Sequence, residues 1–592
     1  MAIEKIDKEE LETIRKWMKR YQASEAYCED FFDAGRKNYN LYKSYQEASA
    51  KVYKHNIFVP YSFAYCEDMI AYFMLSIMAS PVTYAFEPRM KAISLELCNE
   101  LQQVVHWALT EESTEFVLEV EEIIKSVNIF NVGYLLNYPI VEQKKKMITT
   151  EPDWPIVGMN EGSVLRTVFN RYHLNTPHPH DIYPEPQVKR LSRANWVIKA
   201  ASEDFSNLKE IERKGGYLPG KLDMAKGYTR ESPVAKMLTT IGLGSGGDFA
   251  FNTKTNKIEI LDCMSGSDVI TIAGRSAIIQ DTTKQSRELK PSSFDFPLLD
   301  CRTTGGLSEF FGMGVIEQIK PIQLDMNLLR SQRRDNIALI LNKVFTYDIS
   351  IGEIDWASLI SAPGNIVVGK NIKECLSELE YSDVTGSAFK ESEDLKYDMQ
   401  NISAMWDYAR GGTPRRRETA TGIIRLQQAA QSRNEWQLRK VDAYILQPLA
   451  KRLVIALREY LPREDYEAII GKNQVGPNGE TIKWNHADEF YNLDLDQLKR
   501  MLQVQPLTES IVSIKEVELN SLIQAFDRLV QLPEVNRGAL IKQLLYRLGN
   551  KDVNSILPQL SGGGQEGLNQ GLKELRGQEP LPGMEPASVP TM

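Results

Sequence analysis

Residues 305–343 read GGLSEFFGMGVIEQIKPIQLDMNLLRSQRRDNIALILNK, a glycine-rich turn followed by a long helical pattern. Gly305, Gly306, Gly312 and Gly314 surround Phe310 and Phe311. Beyond them Val315, Ile319, Ile322, Met326, Leu329, Arg333, Ile337, Ile340 and Val344 recur at steps of three and four. That spacing predicts one face of a helix, interrupted once by Arg333. Gln323, Asn327, Arg330 and Arg334 form a second, polar stripe. Such a helix runs about 40 Å at ~1.5 Å per residue. Pro321 either kinks it or opens its first turn. The apolar and polar stripes give this helix two surfaces to bury.

The chain around this stretch is too long, at 592 residues, to fold about a single core. Charged residues make up 25% and hydrophobic ones 42%, which places it among folded rather than disordered proteins. Its net charge of −9 argues against a general nucleic-acid coat, though not against local basic contacts. Cys28, Cys66, Cys98, Cys263, Cys301 and Cys375 contain no CxxC pair and read as reduced, mostly buried thiols of a cytoplasmic protein. The charged start reads as a helix, not a signal peptide. The most apolar run, Met69 to Ala79, is too short to span a bilayer, so no membrane partner is expected.

In chain order, helices are expected over Glu9–Lys43, Pro60–Ala79, Met90–Leu109 and Thr114–Leu136, with a strand over Pro81–Phe86. From Met147 to Ile198 the pattern turns to short strands, and Ser202 is placed to cap a helix reaching Lys214, with Phe205, Leu208 and Ile211 inward. Helical signal is weak from Lys221 to Leu243. Lys257–Met264, Val269–Asp281 and Pro297–Cys301 read as strands of a small α/β insert. Thr346–Ile351 and Asn365–Val368 read as strands around Pro363-Gly364, and Ser392–Ala409 and Ala420–Tyr460 as helices. Between those helices lies a loop with Arg410, Arg415, Arg416 and Arg417. Gly411, Gly412 and Pro414 stop either helix from continuing through it. Asp465–Trp484 reads as a loop, Leu493–Leu557 as helical, and 561–592 as a disordered tail rich in Gly, Gln and Pro.

Three motifs stand out, the last two at a matching distance from each other. They are Ile182-Tyr-Pro-Glu-Pro186 leading to Arg193-Ala-Asn-Trp-Val-Ile198, the core Gln323, Asn327, Arg330 and Asp335, and Glu418-Thr-Ala-Thr-Gly422. Together they resemble the portal proteins, the head-to-tail connectors of short-tailed phages. The resemblance extends over roughly 10–560, its specific motifs lying near 182–198, 305–343 and 418–422. It implies a mainly α subunit with smaller α/β parts, organised as wing, stem, clip and crown and closing into a dodecameric ring. On that scheme 1–200 is a helical and mixed wing, 201–243 a first stem region, 244–310 the clip and 311–343 the second stem helix. Residues 344–391 are wing strands, 392–460 the tunnel-loop helices and loop, 461–560 a helical crown and 561–592 the tail. The family further implies a channel for double-stranded DNA at one capsid vertex. Its partners are terminase, the head-to-tail adaptor and tail proteins, and capsid and scaffolding protein. Gln323, Asn327, Arg330, Arg333, Arg334 and Asp335 then belong to an assembly helix, and the four loop arginines to the DNA channel. Localisation is the virion, with host cytoplasm during assembly.

Chemistry has little support. Gly364 to Asn371 approaches a phosphate-binding loop, but Asn371 stands where Ser or Thr is needed to hold Mg²⁺. Gly242 to Gly247 imitates a dinucleotide fingerprint after helix-like rather than strand-like sequence. His178-Pro-His180-Asp181 offers metal-type ligands within a Pro-rich flank that suits a surface loop. No catalytic arrangement, metal or cofactor is expected. The competing readings are a nucleic-acid-processing enzyme of the packaging machinery and a helical adaptor or scaffold without a pore.

Overall fold

The computed structural model describes residues 8–46, 55–79, 83–89, 93–148, 162–225, 257–282, 297–305, 309–341, 345–358, 366–378, 385–405, 432–471 and 486–507, apart from single positions within these spans and a few beyond them. The described part is mainly α with smaller sheet parts.

Helix α1, Lys8–Tyr42, crosses from a sheet to a helical core. Its buried residues recur at three and four: Ile14, Trp17, Tyr21, Ser24, Cys28, Phe31, Gly35, Asn38 and Leu41. The first of these lie on a five-stranded antiparallel sheet. Trp17 meets Trp196 edge-on at 6.4 Å, and Tyr21 meets Tyr183 at 4.7 Å. Farther along, Leu41 joins a large core built by α2 (Tyr61–Ile77), α3 (Leu95–Thr110) and α4 (Phe116–Phe130), the long helix Val315–Leu341 and the helix Gln447–Tyr460. Gly35 is needed at the crossing, because a Cβ there would lie 2.8 Å from His180 Nε2.

Strand β1 (Tyr84–Pro88) follows α2. The expected helix to Leu136 ends at Phe130, where Asn131 takes a left-handed φ of 66°. Residues 133–136 instead begin β2, Gly133–Ile148, which pairs with β3, Gly162–Asn175, in a hairpin longer than the expected short strands. Strands β4 (Ile182–Pro184) and β5 (Val197–Asp204) follow. Ser202 lies within β5 and does not cap the next helix. That helix, α5, is Phe205–Arg213, preceded by Asp204. Of its three expected inward residues Leu208 is buried, whereas Ile211 is 40% exposed.

The expected insert is not a separate layer. Strands β6 (Lys257–Ser265), β7 (Asp268–Ala273) and β8 (Ala277–Asp281) extend β4 and β5 into one sheet of order β4-β5-β6-β7-β8. The expected strand Val269–Asp281 is broken by Gly274 and Arg275, at φ 55° and 59°, with Ser276 N bonded to Ala273 O at 3.1 Å. Two successive positive φ values make the hairpin turn whose twist matches the strands. Strand β9 (Leu298–Cys301) leaves this sheet and pairs with β2.

After the long helix, Phe345–Tyr347 pairs with Leu376–Glu378, and Glu353–Ile354 with Gly369–Lys370. The two expected strands of this region therefore do not pair with each other. The next helix starts early, at Thr385, and runs to Ser403. Farther on, Arg463–Ile470 is helical where a loop is expected. Leu502–Pro506 is a strand on β1, not helix. Its alternating burial at Leu502 and Val504 is the two-residue period of a strand. The expected helix ending at Tyr460 contains a π turn over Asp442–Leu446, just ahead of Pro448, which has no N–H to continue a regular helix. The tail 561–592 and the rest of the expected crown beyond residue 507 lie outside the described residues.

Candidate assembly site

The turn before the long helix is held from behind by an arginine. Arg302, 6% exposed, pairs through Nη2 with Asp300 Oδ2 at 2.9 Å and donates through Nη1 to Lys189 O at 2.8 Å and to Phe310 O. Burial raises the Asp300 carboxyl above its ordinary value, although the guanidinium opposes this. Phe311 stacks on Phe31 of α1 with centroids 3.6 Å apart. The glycines serve close backbone approach. A Cβ on Gly312 would lie 2.4 Å from Thr304 O, and one on Gly314 would lie 2.4 Å from Asn128 O. Gly314 N donates to Asn131 Oδ1 at 2.7 Å, so the α4 terminus and the long helix share one junction.

Beyond that junction Pro321 lies inside the helix as its seventh residue, neither at its first turn nor at its end. The polar stripe differs from the expected one. Its members are Gln323, Asn327, Ser331 and Asp335, each four residues from the last. They bind the segment His55–Ser62 of the same chain. Gln323 Oε1 accepts from Ser62 N at 3.0 Å, and its Nε2 donates to Val59 O at 2.7 Å and to Asn327 Oδ1 at 2.8 Å. Asn327 Oδ1 accepts from Val59 N at 3.0 Å, and Ser331 Oγ from Ile57 N at 3.1 Å. Asp335 Oδ1 accepts from His55 N at 3.2 Å and lies 2.6 Å from His55 Nδ1. Two residues of extended chain advance about 6.6 Å, and four of helix about 6 Å, so the alternate amides of His55, Ile57 and Val59 meet successive side chains of the stripe. Gln323 and Asn327 are fully buried in this ladder. Their hydrogen bonds are satisfied within the chain.

Arg330, Arg333 and Arg334 fall outside the ladder. Arg334 is exposed. Arg333 lies over the ring of Phe389 at 5.1 Å, on the helix Thr385–Ser403. Burial first, and then the charge of Arg330, lowers Arg333 from its ordinary value. The two helices run antiparallel, since Met326 meets Ser392 at 3.3 Å while Arg333 meets Phe389. A cleft of about 350 Å³ between them is lined by Leu329, Gln332, Arg333, Asn336, Ser387 and Glu391, among others.

Arg410, Arg415, Arg416 and Arg417 lie outside the described residues, as do Glu418–Gly422 and Gly242–Gly247. Gly369 and Lys370 are paired as a strand, and a Cβ on Gly369 would lie 2.4 Å from Glu353 O, so these two residues form a ladder and not a phosphate cradle. His180 is buried, not on a surface loop. It packs against Phe32 at 4.6 Å, and His178 against Phe130 at 4.7 Å. All six cysteines are buried and free. No helix among the described residues is long and apolar enough to cross a membrane.

Ser331 and His55 are members of the ladder that pattern reading missed. Ser331 was legible as the middle of a four-residue spacing, but the segment it binds lies 274 residues away. No family model matches the chain, and no curated protein matches it.

Proposed function

We propose that the chain is a portal subunit of a short-tailed phage. Copies close into a dodecameric ring at one capsid vertex. The ring conducts double-stranded DNA during packaging and ejection, and docks terminase, then the adaptor and tail proteins. The packaging ATPase resides in a separate protein.

The observation that carries this reading is the helix pair after the glycine turn. The last buried residue of the long helix is Ser331, and the first of the return helix Thr385–Ser403 is Ser392. The ends of both helices beyond these points, and the part they carry between them, lack the burial of the core. Among the described residues of that part, 345–378, there are two short two-stranded ladders, and Ile354 and Cys375 are the large apolar and thiol side chains that are buried. Trp356 is 59% and Val368 59% exposed. A unit of this size does not bury enough surface to be stable alone, so neighbouring copies are the natural cover. Within the reading, the helix pair takes the stem role and 345–378 the clip role. The strands 257–281, assigned to the clip from sequence, belong with the sheet of the wing.

Negative-stain imaging of the purified full chain tests the proposal. The expected particles are rings with a central hole. Uniform monomers or solid particles at every salt and protein concentration would overturn it and favour the adaptor reading.

A further inference from the structure

Opposite charges on the helix pair do not meet within the chain. From Met326 onward the long helix carries Arg330, Arg333, Arg334 and one carboxylate, Asp335, which His55 already holds. Among the described residues none of the three arginines forms an ion pair, and the Nε of Arg330 is buried without a hydrogen-bond acceptor. The return helix carries Glu391, Asp394 and Asp398 at steps of three and four, which places them on one stripe, with Lys390 one turn before Asp394 and with Glu393 and Lys396 elsewhere around the helix. The four carboxylates are exposed, and none forms an ion pair among the described residues. Glu391 lines the same cleft as Arg333 without pairing with it. Arg334 and the four carboxylates are exposed, and Arg330 and Arg333 are half-buried, so complementary charge on the two helices is open to a second copy. One turn from the acidic stripe, Tyr397 of the return helix is 56% exposed.

We infer that the arginines of the long helix receive Asp394 and Asp398 from the return helix of a second copy. The two surfaces are different patches of one chain, so the contact is head-to-tail. Repeated, such a contact generates a ring when its rotation closes. Complementary charge steers the copies together and sets their register. The inference rests on the ring reading for the presence of more than one copy, but it names the residues that join them.

Charge reversal and its repair test it. Three variants of the full chain are compared with the parent by native mass spectrometry and sedimentation: Arg330→Glu with Arg333→Glu, Asp394→Arg with Asp398→Arg, and all four together. Circular dichroism checks folding of each. Each pair of reversals is expected to lower the ring fraction at least about tenfold, and the quadruple variant to recover most of it, because opposite charges again face each other. Raised salt is expected to weaken the parent's assembly. Folded reversal variants with parental ring fractions overturn the inference, as does a folded quadruple variant no better than either pair. In both cases parental rings leave the proposed function standing. A parent that forms no ring overturns both.

Discussion

Cys28 and Cys98 lie in the interior, and burial pushes each thiol up to about 12 from an ordinary value of 9.0. The folded value is thus above the unfolded one. Below pH 9.0 both states hold the proton and the thiols leave stability unchanged. As pH rises from there toward 12, the unfolded chain ionises first and is favoured, at up to ~1.4 kcal/mol per pH unit for each thiol. Urea melts are expected to show stability falling from pH 8 to pH 10, and a rise would contradict the burial argument. The same burial predicts that a thiol-disulfide reagent labels none of the six cysteines rapidly in the native protein and all six in guanidinium. A second residue-scale outcome concerns Gly314. Its substitution by Ala brings a Cβ against two carbonyls, Asn128 O at 2.4 Å and Val127 O at 2.6 Å. The junction must shift, at a cost of about 1–3 kcal/mol, read as a lowered urea midpoint.

At the scale of one element, the long helix derives its place from the ladder to His55–Ser62. Gln323→Leu strands the amide of Ser62, and Asn327→Leu that of Val59. A buried polar group left without its partner costs about 1–3 kcal/mol, so both variants are expected to lose that much in denaturant melts. Arg334→Ala, on the exposed side, is expected to change stability by no more than about 0.5 kcal/mol. If the three variants melt alike, the ladder does not hold the helix. The periodicity of this element was readable because Val315, Ile319 and Met326 recur at helical steps. Which polar side chains turn inward was not, because Arg330 and Ser331 are neighbours and only the arrival of His55–Ser62 selects between them.

For the whole molecule, the arginine loop is the direct link from the ring to its cargo in the proposed reading. Three adjacent arginines cannot share one helical face, and guanidinium groups pair well with phosphate oxygens. Ala at Arg410, Arg415, Arg416 and Arg417 is expected to leave rings intact in native mass spectrometry. Capsids built on that variant are expected to hold shortened or leaking genomes, more so as salt is raised, and without regard to DNA sequence. Full-length genomes that stay in the capsid at raised salt would show the loop to be a solvated turn.

Patterns short in sequence determined much of this protein. The long first helix, the glycine turn, the helix from Val315 and the buried thiols follow from local periodicity, turn chemistry and composition, which need no distant partner. Tertiary structure decided the rest. Strands β6 to β8 read equally well as a separate insert, because alternation sets a strand but not the sheet it joins, and pairing with β5 settles that. Leu502–Pro506 lies in a stretch of helical composition and becomes a strand because β1, more than 400 residues earlier, offers it an edge. Gln323, Asn327 and Ser331 are polar by sequence and interior by structure, since a buried polar residue is stable only where its partners are brought to it.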